Sequence, residues 1–382
     1  MRILQVSDYF PDYGAGIVDT LARRLASWGH EVLVIAGTVN QVGRYYSRGW
    51  KTLSSNLSLF RFSTFGLSGS GTSFSLPTPN LPALVRIIRK FNPDVANLHF
   101  APHFGNVLLG PFLRIQAVPI FFTLHGVATG YPTLPLHAAS ILVNGIASFP
   151  IRLADRVITV SEEVSRIAER IYGINPSKTF VIPNGIDADR FLPSSKEFDP
   201  QTLCIGFCGR LSAPKNVGSL ITALHILREQ FGIDATGIIA GDGPSRRNLV
   251  SLAASLSVPV KFTGQLSHGD QIVSFYHAID FLAHPSTVEG LPQSVLEAMS
   301  CKVPVVARAI GGVKDVLIDG WNGIALKSGC TDELATAVLN LSRDTPLRER
   351  ISENERITIL SSHSDVVMCK RYLQAYESVS RK

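Results

Sequence analysis

Short apolar, β-branched runs alternate with helical patterns along almost the whole chain, and that alternation leaves few folds open. The first series has strand-like runs at Ile3–Ser7, Val32–Ala36, Val95–His99, Ile120–Leu124, Val157–Val160 and Phe180–Ile182, with helical patterns at 18–28, 82–91, 104–116, 134–152 and 162–172 between them. The second series has runs near 202–208, 236–240, 259–263, 279–283, 303–307 and 323–326, again separated by helices. Apolar runs without polar alternation suit parallel strands buried on both faces. Strands joined through helices imply right-handed crossovers, and hence a doubly wound parallel sheet in each half. The 382 residues suffice for two domains of roughly 150–200 residues each. The expected class is therefore α/β, with Rossmann-like domains over 1–190 and 191–363 and a last helix, Asp365 to Ser378, within 364–382. The boundary is expected near 188–200, where LPSSKEFDPQ has the composition of a loop.

The stretch 38–81 breaks the rhythm. It is rich in Ser, Gly and Thr and carries Tyr45, Tyr46, Trp50, Phe60, Phe62, Phe65 and Phe74. A long segment of this kind in a compact domain is either functional or mobile. Two readings stay open: a loop facing an acceptor or a membrane, and a partly stranded extension with no special role.

Composition excludes several classes. The apolar content of 45% with 17% charged residues describes a globular protein. MRILQVSDYF enters a strand at once, without the basic and apolar regions of a signal peptide. No run of about 20 uncharged apolar residues reads as a membrane span. The nearest, Tyr131 to Ile151, is interrupted by His137, Asn144, Gly145 and prolines, and suits a buried helix better. Cys204 and Cys208 fall on one strand, about 13 Å apart, and cannot share a metal or a bridge. Reduced thiols in a cytoplasmic protein are the simplest reading of the five cysteines.

Charge is uneven. Residues 1–190 hold 17 Lys+Arg against 11 Asp+Glu, while the remainder is neutral with 19 of each. Between Val32 and Ala154 the sole acid is Asp94, against nine bases. A basic first half suits an anionic surface or acceptor, including the inner face of a plasma membrane. No nucleic-acid-binding module is recognisable, and the bases are not interleaved with aromatics at a regular spacing, so nucleic acid is not an expected partner.

The most informative motif is His284 to Ala307, HPSTVEGLPQSVLEAMSCKVPVVA. Glu289 and Glu297 are seven residues apart, with Gly290 and Pro292 keeping Glu289 out of a helix that reads as Gln293 to Ser300. Proline is well placed at a first helical position. An anion at that helix start would meet free N–H groups and the positive end of the helix dipole. Glu289 would lie beside the anion, and Glu297 could accept hydrogen bonds from a diol. That layout suits a sugar attached to a nucleoside diphosphate.

Gly290, Pro292, Glu297, Ala298, Met299, Pro304, Val305, Val306 and the pair Gly311-Gly312 together resemble glycosyltransferase family 4, the group 1 type with a GT-B fold. The resemblance is strong over 180–325, moderate over 120–161 and loose before that. It implies two facing Rossmann-like domains with the nucleotide-sugar cleft between them. It also implies that Arg210 and Lys215, in GRLSAPKN after the strand at 202–208, stabilise the departing diphosphate without a metal. Donor phosphates would also meet the amides near Gly290 and Leu291. Glu297 would hold the ribose hydroxyls, and Glu289 the sugar or the reaction face. Gly209 and Gly241, the latter in Gly241-Asp-Gly-Pro244, resemble close-packing turns near the nucleotide. Gln265 and Leu266, after Phe262-Thr-Gly264, match the place where relatives read the base through backbone groups.

In the first half, Gly14-Ala-Gly16 follows the first strand, and glycines there let backbone N–H groups approach a phosphate or sugar. The pair stands closer to the helix than in the family's commonest form, and the resemblance makes Gly16 a donor contact. His125-Gly126 resembles the family's His-Gly, implying a histidine that orients the transferred sugar rather than a general base. Asp187-Ala-Asp189 spells a metal-binding DxD, yet it lies in VIPNGIDADRF, which resembles the family's segment at the domain junction. A structural role is expected there, and no His/Asp/Glu cluster elsewhere has metal spacing.

The expected function is thus retaining transfer of a hexose-type sugar from a nucleoside diphosphate sugar to a glycan or lipid-linked acceptor, in cell-envelope or exopolysaccharide synthesis. No cofactor or metal is expected. An epimerase of the same fold would lack the Arg/Lys and paired-Glu set. A non-catalytic nucleotide-sugar-binding or scaffold protein would be expected to have lost one of Arg210, Lys215, Glu289 and Glu297, and all four are present. A glycogen- or starch-type synthase would be expected to be longer, with a different first phosphate loop.

Overall fold

The computed structural model describes residues 1–10, 16–38, 47–69, 72–77, 81–100, 104–126, 145, 148–149, 151–266 and 269–379. The chain divides into two compact units, Met1–Asn184 with Asp365–Lys382, and Gly185–Ser364. The division falls slightly ahead of the loop-like 188–200 stretch. The residues in question are already tied into the second unit: Ile186 donates its N–H to the His363 carbonyl, and Arg356 and Ser300 donate to the Ala188 and Phe191 carbonyls.

The first unit contains β1 (Arg2–Tyr9), β2 (Glu31–Gly37), β3 (Gly49–Ser54), β4 (Leu57–Phe62), β5 (Thr64–Gly69), β6 (Thr72–Pro77), β7 (Val95–Phe100), β8 (Ile120–Leu124), β9 (Arg156–Thr159) and β10 (Thr179–Val181). Eight of them form one sheet in the order β10-β9-β8-β7-β1-β2-β4-β3. Every pairing is parallel except that of the edge strand β3 with β4. The burial of β2 shows why such runs lack polar alternation: Val32 to Ala36 are at most 1% exposed, covered on both faces. Helices are cut by local chemistry. The Ser161 hydroxyl accepts the Val164 N–H to open Glu162–Tyr172, and Gly173, in the left-handed region, closes it.

Within 38–81 the structure shows strands rather than one long loop. The segment is largely stranded, with β4 parallel to β2, β3 antiparallel to β4, and β5 and β6 as a separate antiparallel pair. The loop expectation gives way because Leu57 and Leu59 alternate into the core at 1% and 0% exposure. Residues 39–46, 70–71 and 78–80 lie outside the described residues, as does most of the expected helix 134–152. No helix among the described residues is long and apolar enough to cross a membrane.

The last helix, Asp365–Glu377, belongs to the first unit. It buries Met368, Cys369, Tyr372, Ala375 and Tyr376 against Ile3, Leu21, Leu25 and Phe121. Asp365 at its start pairs with Arg24 at 2.6 Å.

The second unit contains β11 (Thr202–Cys208), β12 (Asp234–Ala240), β13 (Val260–Gly264), β14 (Phe281–His284), β15 (Val305–Arg308) and β16 (Ile324–Leu326). Its all-parallel sheet runs β13-β12-β11-β14-β15-β16, so strand order reverses between β11 and β14. Ligands of doubly wound sheets bind beyond the carboxyl ends of the strands at such a switch point. Among the described residues, the segments leaving those two strand ends begin at Gly209 and Pro285.

Candidate active site

Gly209 to Lys215 leaves β11 and His284 to Pro292 ends β14, and the two segments are stitched together. The Thr287 N–H donates to the Pro214 carbonyl at 2.7 Å, with its hydroxyl on the same oxygen at 3.1 Å. That link brings Lys215, at the end of the 3₁₀ turn Ala213–Lys215, onto Glu289. Lys215 Nζ donates to Glu289 Oε1 at 2.5 Å, and His284 Nε2 lies 2.7 Å from the same oxygen. The Glu289 side chain is 7% exposed. Burial alone would raise its pKa. The donors from His284 and Lys215 outweigh that and bring it down to about 2, so it is a carboxylate at neutral pH.

The backbone beside Glu289 is held as tightly. Gly311 approaches so closely that a Cβ on it would sit 2.0 Å from the Glu289 carbonyl oxygen, and its φ is +52°. Gly312 donates its N–H to the Gly290 carbonyl. The Gly311-Gly312 pair singled out in the sequence is thus the wall against which the Glu289 turn packs. Pro292 occupies the N-cap of the helix Gln293–Ser300, one place before the first helical position suggested by the sequence. Its φ of −71° and ψ of 128° make it the extended residue that precedes the helix. Gly290 is partly exposed and Leu291 buried at this helix start.

Arg210 follows Gly209 on the same loop. Its guanidinium has no hydrogen-bond or ion-pair partner among the described residues, and its Nε is buried without one. A buried guanidinium N–H without a partner leaves Arg210 with an open donor.

Glu297 lies one turn inside the helix and is 4% exposed. The Tyr276 hydroxyl donates to its Oε2 at 2.7 Å. Burial raises Glu297 to about 7, against the opposing pull of Tyr276 and Arg190. Glu289 and Glu297 therefore differ sharply, the first held charged and the second poised near neutrality. Half-buried Cys208, on β11, is pushed up to about 12 by desolvation and by Glu297, and stays a thiol.

The loops after β11, β12 and β13 are zipped through glycines. Gly209 donates to the Ala240 carbonyl at 3.0 Å, and Gly241 to that of Gly264 at 2.8 Å. A Cβ on Gly241 would stand 1.8 Å from the Gly209 carbonyl oxygen, so no other residue fits there. Exposed Gln265 and half-buried Leu266 continue from that zipper.

In the first unit, a separate polar cluster occupies the ends of β1, β7 and β8. His125 Nε2 lies 3.0 Å from His99 Nδ1, and the two rings stack with centroids 5.3 Å apart. His99 Nε2 lies 2.6 Å from Gln5 Oε1. A carbonyl oxygen can only accept, so His99 carries its hydrogen on Nε2, and His125 Nε2–H donates to His99 Nδ1. Asn97 and Gln5 each donate to the Tyr376 hydroxyl of the last helix, at 2.8 and 3.2 Å, and Thr123 donates to Asn97 at 2.9 Å. Burial lowers His125 to about 4, and burial together with His125 lowers His99 well below the ordinary value, so both rings are neutral at pH 7. Gly126 follows His125, half-buried. Gly16 is the N-cap of the helix Ile17–Ser27 with φ +98°; Gly14 lies outside the described residues.

Asp187 serves its own turn: its Oδ1 accepts the N–H groups of Asp189 and Arg190 at 3.2 and 3.3 Å. Sequence reasoning thus marked Arg210, Lys215, Glu289 and Glu297, all in the second unit, and His125 in the first. It missed His284, Tyr276 and His99. The signal for His284 was its place as the last residue of a buried strand, five before Glu289. Nothing in the spacing signalled Tyr276, because its partner lies 21 residues away across a strand and a turn.

Residues 16–190 match the family described as Glycosyltransferase Family 4, and residues 189–358 match that described as Glycosyl transferases group 1. A glycogen synthase of Mycobacterium tuberculosis is 26% identical over 402 residues, covering 100% of this chain and 95% of its own. Its length therefore removes the size argument against that kind of relative. Among solved structures, sucrose-phosphate synthase from Thermosynechococcus elongatus superposes with a TM-score of 0.79 at 19% identity, covering 99% and 98% of the two chains. HepE of Anabaena, determined with UDP and glucose, does so with a TM-score of 0.77 at 21% identity, covering 99% and 100%. At such identities the superpositions speak for the fold alone, which is the GT-B architecture of two parallel-sheet α/β domains.

Proposed function

Because the chain belongs to glycosyltransferase family 4, we propose that it moves a hexose-type sugar from a nucleoside diphosphate sugar to a glycan or lipid-linked acceptor, with retention of anomeric configuration. The observation that carries this reading is the pairing of Lys215 with ionised Glu289 between the two segments that leave the switch-point strands of the second sheet, with Arg210, its Nε unpartnered, five residues ahead of Lys215 on the same loop.

In this reading the diphosphate lies against Arg210, Lys215 and the amides at Gly290 and Leu291. As the glycosidic bond breaks, charge grows on the leaving diphosphate, and the cations of Arg210 and Lys215 stabilise it. They take the part a metal ion would otherwise play, so turnover should survive a chelator. Glu297 accepts from the ribose hydroxyls, the glycine zipper at Gly209 and Gly241 lets the nucleotide approach backbone, and Gln265 and Leu266 meet the base. Glu289 faces the sugar, and the acceptor attacks from the side the leaving group vacates. In the first unit, Gly16, Gly126 and neutral His125 are assigned as substrate contacts by the family resemblance alone, His125 as a hydrogen-bonding rather than proton-transferring group. Catalysis then rests on positioning and charge stabilisation.

The acceptor is assigned to the basic first half, where Trp50, 60% exposed on edge strand β3, offers an amphipathic contact for an anionic or lipid-linked molecule at a membrane's inner face. Sedimentation with vesicles tests this part: equal binding to neutral and anionic lipid would count against it. The reading as a whole is tested by offering UDP-, GDP-, ADP- and TDP-sugars and following nucleotide release and the anomeric proton of the product. Transfer with retention supports it, whereas binding without transfer would favour a nucleotide-sugar-binding protein.

A further inference from the structure

We propose that His284 is a positioning residue for Glu289, keeping that carboxylate charged and aimed when Lys215 is drawn to the donor diphosphate. The proposal rests on the reading above, in which Glu289 faces the sugar and Lys215 the phosphates.

Both hydrogen bonds to Glu289 fall on Oε1, from Lys215 at 2.5 Å and from His284 at 2.7 Å. Its Oε2 takes no hydrogen bond among the described residues. The carboxylate therefore has one oxygen fixed by protein and the other available to a substrate hydroxyl or reacting carbon. The two donors differ in how firmly they are held. Lys215 ends a flexible side chain that is 23% exposed, and its ammonium can turn toward a phosphate. His284 is 2% exposed, closes strand β14, and stacks on Phe207 with ring centroids 6.0 Å apart and planes at 13°. Ser286 Oγ lies 3.1 Å from the same Nε2.

A carboxylate can only accept, so Nε2 carries the hydrogen that points at Glu289. The other nitrogen, Nδ1, is buried without a partner, which is tolerable for a lone pair and costly for an N–H. The ring is thereby fixed as a donor toward Glu289. The titratable groups acting on Glu289 are His284 on its own segment and Lys215 from the turn after β11. If Lys215 leaves for a diphosphate, His284 is what remains to offset the burial that would otherwise protonate Glu289.

The test compares wild type, His284→Leu, His284→Gln and Glu289→Gln in the full chain, using whichever of the UDP-, GDP-, ADP- and TDP-sugars wild type turns over. In His284→Leu the acid limb of kcat, which reports the donor-bound enzyme, should move up by about one pH unit or more, with kcat down roughly tenfold and donor KM changed less than about twofold. His284→Gln, whose amide nitrogen can reach the Nε2 position, should restore most of both. A wild-type acid limb in His284→Leu overturns the proposal. Wild-type turnover by Glu289→Gln would instead overturn the reading of Glu289 itself, which separates the two failures. A second measurement needs neither turnover nor the Leu variant: carbon-13 NMR of labelled glutamate side chains in Lys215→Ala and Lys215→Ala/His284→Gln with UDP present. Glu289, assigned by its loss in Glu289→Gln, should stay ionised at pH 5 in both, and a Glu289 carboxyl titrating above pH 5 while His284 is intact would contradict the proposal.

Discussion

Tyr276 donates its hydroxyl to Glu297 across 2.7 Å in a fully buried contact, and it is the hydrogen bond that keeps this carboxyl from rising further. Glu297 at about 7 is the one signature carboxyl whose charge changes in the working range of pH. Since a ribose diol donates to the charged form, nucleotide affinity should increase as pH rises from 6 to 8. Tyr276→Phe should move that rise to higher pH and weaken binding at pH 7 by about tenfold, the equivalent of one hydrogen bond to a charged group. Calorimetric titration with the preferred nucleoside diphosphate at several pH values checks it.

Glu297 also carries a stability signature of the opposite kind to Glu289. A carboxyl raised from 4.5 to about 7 binds more protons folded than unfolded between those values, so its contribution falls as pH rises through that window and the full penalty stands above 7. Glu297→Gln should therefore raise the stability of the unliganded protein at pH 8 by about 1–3 kcal/mol while abolishing the pH dependence of nucleotide binding. For Glu289, lowered to about 2, the contribution is present above 4.5 and lost as pH falls through about 2. Urea denaturation at pH 6 and 8 separates the two residues.

Gly311→Ala should damage the site without touching any charged group. A methyl 2.0 Å from the Glu289 carbonyl must displace the turn, and φ +52° adds strain for any residue with a Cβ. A loss of about 1–3 kcal/mol in stability together with a fall in kcat of at least tenfold is expected. Melting and turnover measured on the same preparation check it.

The paired histidines should not titrate near neutrality. Burial holds His125 at about 4 and His99 well below its ordinary value, so the neutral rings contribute stability that is full above 6.5 and lost as pH falls toward 4. Nitrogen-15 shifts of both imidazoles should stay constant from pH 6 to 8, with the hydrogen on Nε2 in each. A shift of the His125 imidazole nitrogens within that range would argue against neutral His125.

Tyr376 ties the last helix to this cluster, accepting from both Asn97 and Gln5. Tyr376→Phe leaves those buried amides without an acceptor and should cost about 1–3 kcal/mol. Deleting 365–382 removes Met368, Tyr372 and Tyr376 from the first core and should leave a chain that does not melt cooperatively.

What the sequence revealed follows from which interactions are local. Apolar runs such as Val32–Ala36 announced buried parallel strands because each residue meets the same environment on either face. Glu289, Gly290 and Glu297 were legible because a strand end, a turn and a helix start are written within one short stretch, and Gly311-Gly312 because only glycine tolerates so close an approach to Glu289. The alternation of Leu57 and Leu59 was outweighed by the surrounding Ser, Gly and Thr, so strand β4 stayed one of two open readings for its segment. His284, Tyr276 and His99 act through partners that the chain brings together only after folding, with ring orientations that no spacing encodes. The locking of Lys215 onto Glu289 was hidden for the same reason, since 74 residues separate them.

The most direct test of the account is a thermal-shift panel of UDP, GDP, ADP and TDP, with and without chelator, on wild type and Arg210→Ala/Lys215→Ala. At about 100 times its dissociation constant, the right nucleotide should stabilise wild type by roughly 2.7 kcal/mol, the variant far less, and chelator should make no difference. Equal stabilisation of wild type and variant, or stabilisation that vanishes with chelator, would contradict a diphosphate site built on Arg210 and Lys215.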